Sequence, residues 1–529
     1  MKRMNKMLLV AALAATTLSV QAEQKKGPAW LSDALFYQIY PSSYMDTDGN
    51  GIGDLPGITS KLDYIKSLGV NALWLNPIFE SGWFDGGYDV IDFYKVDPRF
   101  GTNTDLVTLV NEAHKRGIKV CLDLVAGHSS TKCSWFKESS MKDPNQRYSD
   151  YYIWMNDIPE SEKKEIEARH QEASPESSTR GRYVEANAPR AKYYEKNFFE
   201  CQPALNYGFA HPDPNHPWEQ SVDAPGPQAV RREIRNIMAF WFDKGVDGFR
   251  VDMASSLVKN DPDKKEVSKL WKEMRAWKDK YYPETVLISE WANPQQAIPA
   301  GFNIDFYIHF GLKGYASLFF DRKTPWGKWE QSYQNCYFDK QGRGSLKEFS
   351  ENYTKAYNAT KNLGYIAVPS ANHDYQRPNI GTRTPMQWTK GKNAGFSTSA
   401  PDKLYFPVDT ENGKLTVEAQ QGDQKSLLSY TRKLTALRHS AKALDNEGDW
   451  KLLNQKGQEY PMVYERTLGE ERYVVVVNPG AKAASLNISS VGGKAVSVLS
   501  TGKVVYKSGK KTDVIKASGI SAAIFKVER

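Results

Sequence analysis

KLDYIKSLGVNALWLNPIF (61–79) and, further on, LVTLVNEAHKRGIKVCLDLV (106–125) decide the architecture. In each, a helical pattern of apolar residues runs into a short apolar or β-branched stretch. Helix and strand repeated at this spacing make parallel βα units. FYQIYP (36–41) supplies a strand upstream, and the rhythm resumes with AVRREIRNIMAFWFDKG (229–245), VDGFRVD (246–252), TVLISE (285–290) and LGYIAVPS (363–370). Between these runs, residues 130–228 are polar, aromatic and Pro-rich and carry no βα rhythm. They read as a subdomain inserted after the third strand.

From 446 to 529 the texture changes to short alternating strands with Gly and Asn turns, such as YVVVVNPG (473–480) and SAAIFKVE (521–528). The expected fold class is therefore α/β. A (β/α)8-type TIM barrel spans 23–445 and contains the inserted subdomain 130–228, and a C-terminal antiparallel β-sandwich domain covers 446–529. Residues 1–22 read as a cleaved signal peptide: Lys2, Arg3 and Lys6, then an apolar run from Met7 to Val20, then Ala22. The run is too short for a membrane span, so no transmembrane segment is expected and the chain is read as secreted or periplasmic. The formal net charge of +8 is spread among interspersed acids, which argues against a nucleic-acid partner. Cys121, Cys133, Cys201 and Cys336 lack the spacing of a zinc site.

Polar residues gather at the carboxyl ends of the strands: Asp123 and His128, Arg250 and Asp252, Glu290, then Asn372, His373 and Asp374. In a parallel barrel that end is the catalytic face. A single Asp there is ordinarily a helix cap, but several acids on different strands aim at one pocket. Hydrolysis of a glycosidic bond with retention needs one carboxylate to attack the anomeric carbon and one protonated carboxyl for the leaving oxygen, about 5 to 5.5 Å apart.

DLVAGH (123–128), GFRVD (248–252), ISE (288–290) and NHD (372–374) resemble, in order, the four main motifs of the α-amylase superfamily of glycoside hydrolases. The resemblance implies Asp252 as nucleophile, Glu290 as acid/base and Asp374 as the acid that holds sugar hydroxyls. It places Arg250 beside Asp252 and has His128 and His373 donating to hydroxyls of the same subsite. QPALN (202–206) and GTRTPMQW (381–388) are similar to stretches of the oligo-1,6-glucosidase and α-glucosidase-like subgroup. By that likeness Arg383 pairs with Asp85 of DGGYD (85–89) to grip the terminal sugar, and Tyr88 stacks on its face. The implied reaction is retaining hydrolysis of α-glucosidic bonds in malto- or isomalto-oligosaccharides or starch-derived glucans, by a monomer.

DTDGNGIGD (46–54) sets Asp46, Asp48, Asn50, Ile52 and Asp54 at alternate positions of a glycine-rich loop suited to a hard cation. Gly57 stands where an EF-hand carries its bidentate Glu, so this is not one. Related sugar hydrolases carry a calcium loop after the first strand that this one resembles, and structural Ca2+ is the expected cofactor. Gly127 replaces the Asn usual in DLVAGH, so no second calcium site is carried over.

One departure bears on the fold. Only YQRPNIGT (375–382) separates Asp374 from Arg383, where the subgroup places a helix, the eighth strand and a long loop. Pro378 and Gly381 interrupt it, and it has no apolar run. The barrel is therefore expected to lack its eighth strand, with strands one and seven approaching directly or leaving a gap, Arg383 displaced from Asp85, and stability and activity below those of an intact relative. Two alternatives stay open: a trehalose synthase-like isomerase or transglycosylase that passes the same intermediate to a sugar, and a non-catalytic sugar-binding relative.

Overall fold

A computed structural model describes residues 26–319, 335–374, 383–408 and 415–528. Seven parallel strands form one curled sheet in simple sequential order: β1 (Phe36–Ile39), β2 (Ala72–Leu75), β3 (Lys119–Leu124), β4 (Gly248–Val251), β5 (Val286–Ser289), β6 (Ile304–Phe306) and β7 (Tyr365–Ala367). β2, β4 and β5 are buried along their whole length, as expected for strands covered on both faces. Gly248 is required where the strands crowd, because a Cβ there would lie 2.5 Å from Val286 Cγ2 and 3.0 Å from Cys121 Sγ. Outer helices carry apolar stripes onto the sheet: α1 (Asn103–Lys115), started by a Thr102/Asp105 capping box, α2 (Pro225–Phe242) and α3 (Lys265–Tyr281).

The seven-stranded, open form is what the structure shows. Among the described residues β1 pairs only with β2 and β7 only with β6. The outer edges do not meet: a cleft of about 570 Å³ runs between Phe36, Tyr37 and Gln38 on one side and the chain from Tyr365 to His373 on the other. β7 is half-exposed throughout, unlike the central strands. YQRPNIGT (375–382) lies outside the described residues.

Between β3 and β4 the inserted chain holds a small antiparallel sheet of Trp154–Met155, Tyr193–Glu195 and Tyr183–Glu185. After the barrel come β8 (Asp449–Leu452), β9 (Met462–Leu468), β10 (Glu471–Asn478), β11 (Ala484–Ser489), β12 (Lys494–Thr501), β13 (Val504–Lys507), β14 (Thr512–Ala517) and β15 (Ser521–Glu528). They form a five-stranded sheet, β8-β9-β10-β15-β12, and a three-stranded sheet, β11-β14-β13. Val463, Val474 and Val476 of the first meet Leu486, Ile488 and Ile515 of the second in one core, which makes the antiparallel C-terminal domain a sandwich. The four cysteines are free thiols.

Candidate active site

Arg250, at the third position of β4, points into the barrel and is 2% exposed. Its Nη1 donates to Asp123 Oδ1 and to Asp252 Oδ1, both at 3.0 Å, and its Nη2 reaches Glu290 Oε1 at 2.7 Å. One guanidinium thus gathers acids from the ends of three adjacent strands. Met253, at φ 44°, occupies the left-handed region, and its N–H donates to Glu290 Oε2 at 2.9 Å. A strained backbone therefore aims the second carboxyl.

These acids have unequal proton affinities. Burial pushes Asp252 up to about 6 against the pull of Arg250, and the same two forces act on Asp123, also about 6. Glu290 is pushed further, to about 8, by burial and by the neighbouring Asp252 and Asp374 charges, again against Arg250. The Asp374 side chain is exposed, at 41%. Burial works against its ionisation, but the positive charges of Arg250 and Arg383 hold the carboxyl below the usual range. The site can therefore hold one acid protonated beside others that are ionised.

Tyr88 and both histidines form a second, neutral network. Gln38 Nε2 can only donate, so His373 Nδ1 accepts at 2.9 Å and its Nε2 carries the hydrogen toward the Tyr88 hydroxyl at 2.7 Å. That hydroxyl donates to Asp123 Oδ2 at 3.0 Å. His128 Nε2 donates to the Tyr88 carbonyl at 3.0 Å, and its Nδ1 accepts from Asn197. Burial lowers His128 to about 4 and His373 to about 3, so both are neutral. All four ring nitrogens are engaged with the protein, and the rings prop Tyr88. One face of Tyr88 is also occupied, stacked on His373 at 5.5 Å.

Arg383 does not pair with Asp85, the displacement expected from the short 375–382 connection. Arg383 forms its ion pair with Asp374 at 3.6 Å, donates from Nε to the His373 carbonyl and lies over the Tyr40 ring. Asp85 accepts instead from Gln202 Nε2 at 2.8 Å, and burial lifts it to about 6. The physical reason is that Arg383 is tethered to the carboxyl end of the β7 segment, where Asp374 is the near acid.

Sequence reading assigned no role to Gln38, Asn76, Asn197, Gln202 or Asp305. Asn76 directly follows β2, so the strand-end rule that found Asp123 could have found it. Asp305 lies in β6 beside Ser289, accepts from Ser289 Oγ and the Trp291 N–H, and is lifted to about 7 by burial. No pattern announces it.

The 46–54 loop gathers Asp46, Asp48 and Asp54, with one carboxylate oxygen of each within 4.8 Å of the others. Burial and the neighbouring Asp46 and Asp54 push Asp48 up, a crowding of negative charge that a divalent cation would relieve. The donor set, hard carboxylate oxygens, fits calcium. Asn50 Oδ1 accepts from the Ile52 N–H and its Nδ2 donates to Asp48, so in this structure Asn50 props the loop.

Among the described residues no helix is long and apolar enough to cross a membrane. Trehalose synthase/amylase TreS of Mycolicibacterium smegmatis is 31% identical over 482 residues, covering 77% of this chain and 76% of that protein. Oligo-1,6-glucosidase of Parageobacillus thermoglucosidasius is 30% identical over 547 residues, 85% of this chain and 90% of that one. Maltase A2 of Drosophila melanogaster is 29% identical, covering 92% of each. In fold, trehalulose synthase MutB of Pseudomonas mesoacidophila superimposes with a TM-score of 0.72 at 22% identity, over 95% of this chain and 100% of that one. The alpha amylase catalytic-domain profile matches residues 38–379 and 351–447, and with the barrel, its acids and these relatives in view, the chain belongs to the alpha-amylase family of glycoside hydrolases.

Proposed function

We propose that the protein is a retaining α-glucoside hydrolase in which Asp252 attacks the anomeric carbon and Glu290 protonates the leaving oxygen. The observation that carries this is the Arg250 bridge. It holds both carboxyls within one guanidinium's reach while leaving Glu290 the harder of the two to ionise. An inverting pair stands about 6.5 to 9.5 Å apart to admit a water, and a pair tied to one guanidinium supports the retaining alternative. Asp252 Oδ1, ionised against Arg250, forms the bond to the sugar as the glycosidic bond breaks and Glu290 gives its proton to the departing oxygen. Glu290, now a carboxylate, then takes a proton from the water that releases the sugar. Likeness to the family supports malto- or isomalto-oligosaccharides or starch-derived glucans as the substrate class.

Sugar-to-sugar transfer is the second reading, favoured by the likeness to trehalose synthase/amylase. It uses the same first step, and a sugar hydroxyl replaces water in the second. A product time course on maltotriose, isomaltotriose, pullulan and maltose separates the two: net release of glucose supports hydrolysis, and trehalose or longer sugars support transfer. Initial release of the β-anomer, followed by NMR, would overturn retention. Asp252→Asn is expected to lower turnover by about 10⁴-fold or more with the fold intact by circular dichroism. We further propose Ca2+ at the 46–54 loop, held by Asp46, Asp48 and Asp54, and export through the leader.

A further inference from the structure

Asp305 is a fully buried carboxyl with no part in the hydrolytic steps. It is the middle residue of β6, paired in register with Ser289, the last residue of β5. Its Oδ1 accepts from Ser289 Oγ at 2.6 Å and from the Trp291 N–H at 3.1 Å. Glu290 is the residue between those two. A carboxylate out of reach of water is a costly way to close a seam between strands, because a neutral side chain would seal it without the loss of solvation.

The chain around Glu290 needs holding. β5 ends at Ser289, so Glu290 and Trp291 lie beyond it, and Ala292 then takes a left-handed φ of 56°. A residue with a Cβ is strained there and keeps that turn only where its surroundings dictate it. The Glu290 N–H is fixed on one side by the Val251 carbonyl at 3.0 Å, and the Ala292 carbonyl on the other by the Leu312 N–H at 2.7 Å. Between them, the Trp291 N–H goes to Asp305. Ser289 Oγ also reaches the Ile304 carbonyl at 3.3 Å, which ties the end of β5 to β6 at a second point. The Glu290 carboxyl itself is met by Arg250 and by the Met253 N–H. Asp305 therefore acts at the base of this side chain and Arg250 at its tip.

We propose that Asp305 is a positioning residue for the acid/base: by clamping the residues on either side of Glu290, it sets the line along which that carboxyl gives its proton to the leaving oxygen. The inference rests on the hydrolase reading above. A general acid has to stand within hydrogen-bond reach of the atom it protonates, and a misplacement of about 1 Å can cost about 100-fold in rate.

The test compares maltose with α-glucosyl fluoride, with kcat/KM taken for each. Breaking the glycosidic C–O bond of maltose draws on the Glu290 proton, whereas fluoride departs with the bonding electron pair as a stable anion and needs none. Asp305→Ala is expected to lower kcat/KM by about 100-fold on maltose and by less than about threefold on the fluoride. Asp305→Asn keeps an acceptor oxygen for both donors and should bring maltose back to within about tenfold of the wild type. Loss on both substrates by one factor, the mark of a loosened barrel, would overturn the proposal, as would loss on neither. Should Asp305→Ala fail to fold, judged by circular dichroism, Ser289→Ala removes one of the two donors and carries the same comparison. A loss selective for maltose then supports the clamp, and an equal loss or none overturns it. If the wild type turns over neither sugar, the hydrolase reading fails, and 13C NMR of labelled Glu carboxyls decides the positioning separately. A Glu290 titration shifted in Asp305→Ala supports it, and an unchanged one overturns it.

Discussion

Arg250 reaches three carboxylates from one buried position, so the protonation of the pocket is a property of the group and not of any one acid. Asp252 has to be ionised and Glu290 protonated. With the first near 6 and the second near 8, kcat/KM is expected to follow a bell, rising through about pH 6 and falling through about pH 8. A flat profile from pH 5 to 9 would contradict the assignment. The same values carry a stability consequence. A carboxyl whose folded pKa lies above its unfolded value contributes fully at low pH, and its contribution is lost as pH rises through the folded value. For Glu290 that window runs from its unfolded value near 4.5 up to about 8. Glu290→Gln removes the penalty, so the unfolding free energy of the variant relative to the wild type should climb between pH 5 and 8, by at most about 1.4 kcal/mol per pH unit, with its melting temperature rising in step. The acids were legible because strand-end position and motif both mark them. Gln38 and Gln202 were not, since their roles are contacts to His373 and Asp85, far away along the chain.

Among the elements, the 46–54 loop and the strand ends differ in how far pattern reaches. The alternation of Asp46, Asp48 and Asp54 is visible in the sequence, and the loop does bring them together. The part played by Asn50 is not visible, because an amide can prop a loop or ligate an ion from the same position. If the loop holds calcium, a cation bound only by the folded chain at 100 times its Kd adds about 2.7 kcal/mol. Chelation is then expected to lower Tm by roughly 3 °C, and Asp48→Ala to abolish that response in differential scanning calorimetry. Identical melting of the wild type with and without chelator would reduce the loop to a turn. The histidines teach a related lesson: motif membership brought His128 and His373 to the pocket, but which way their nitrogens face was decided by Tyr88, Asn197 and Gln38.

For the molecule as a whole, the shortness of the 375–382 connection was enough to expect a seven-stranded sheet. Whether β1 and β7 would touch or stand apart was not readable, because that depends on sheet curvature and on how outer helices hold the ends. Among the described residues the cleft between them leaves two unpaired edges. Amide hydrogen exchange should therefore grade around the sheet, slowest in β3, β4 and β5 and fastest in β1 and β7. Uniform protection of all seven strands would show that the edges are closed in solution. At the catalytic end, the Gln38–His373 hydrogen bond spans the interval, and Gln38→Ala should speed exchange at both edge strands before it affects the centre. A closed ring of strands resists shear around its whole circumference; a ring cut once behaves as a curved leaf spring whose ends travel against each other. Here one end carries Gln38 and the other leads to His373 and Asp374, so the most compliant place in the sheet is also a wall of the catalytic pocket.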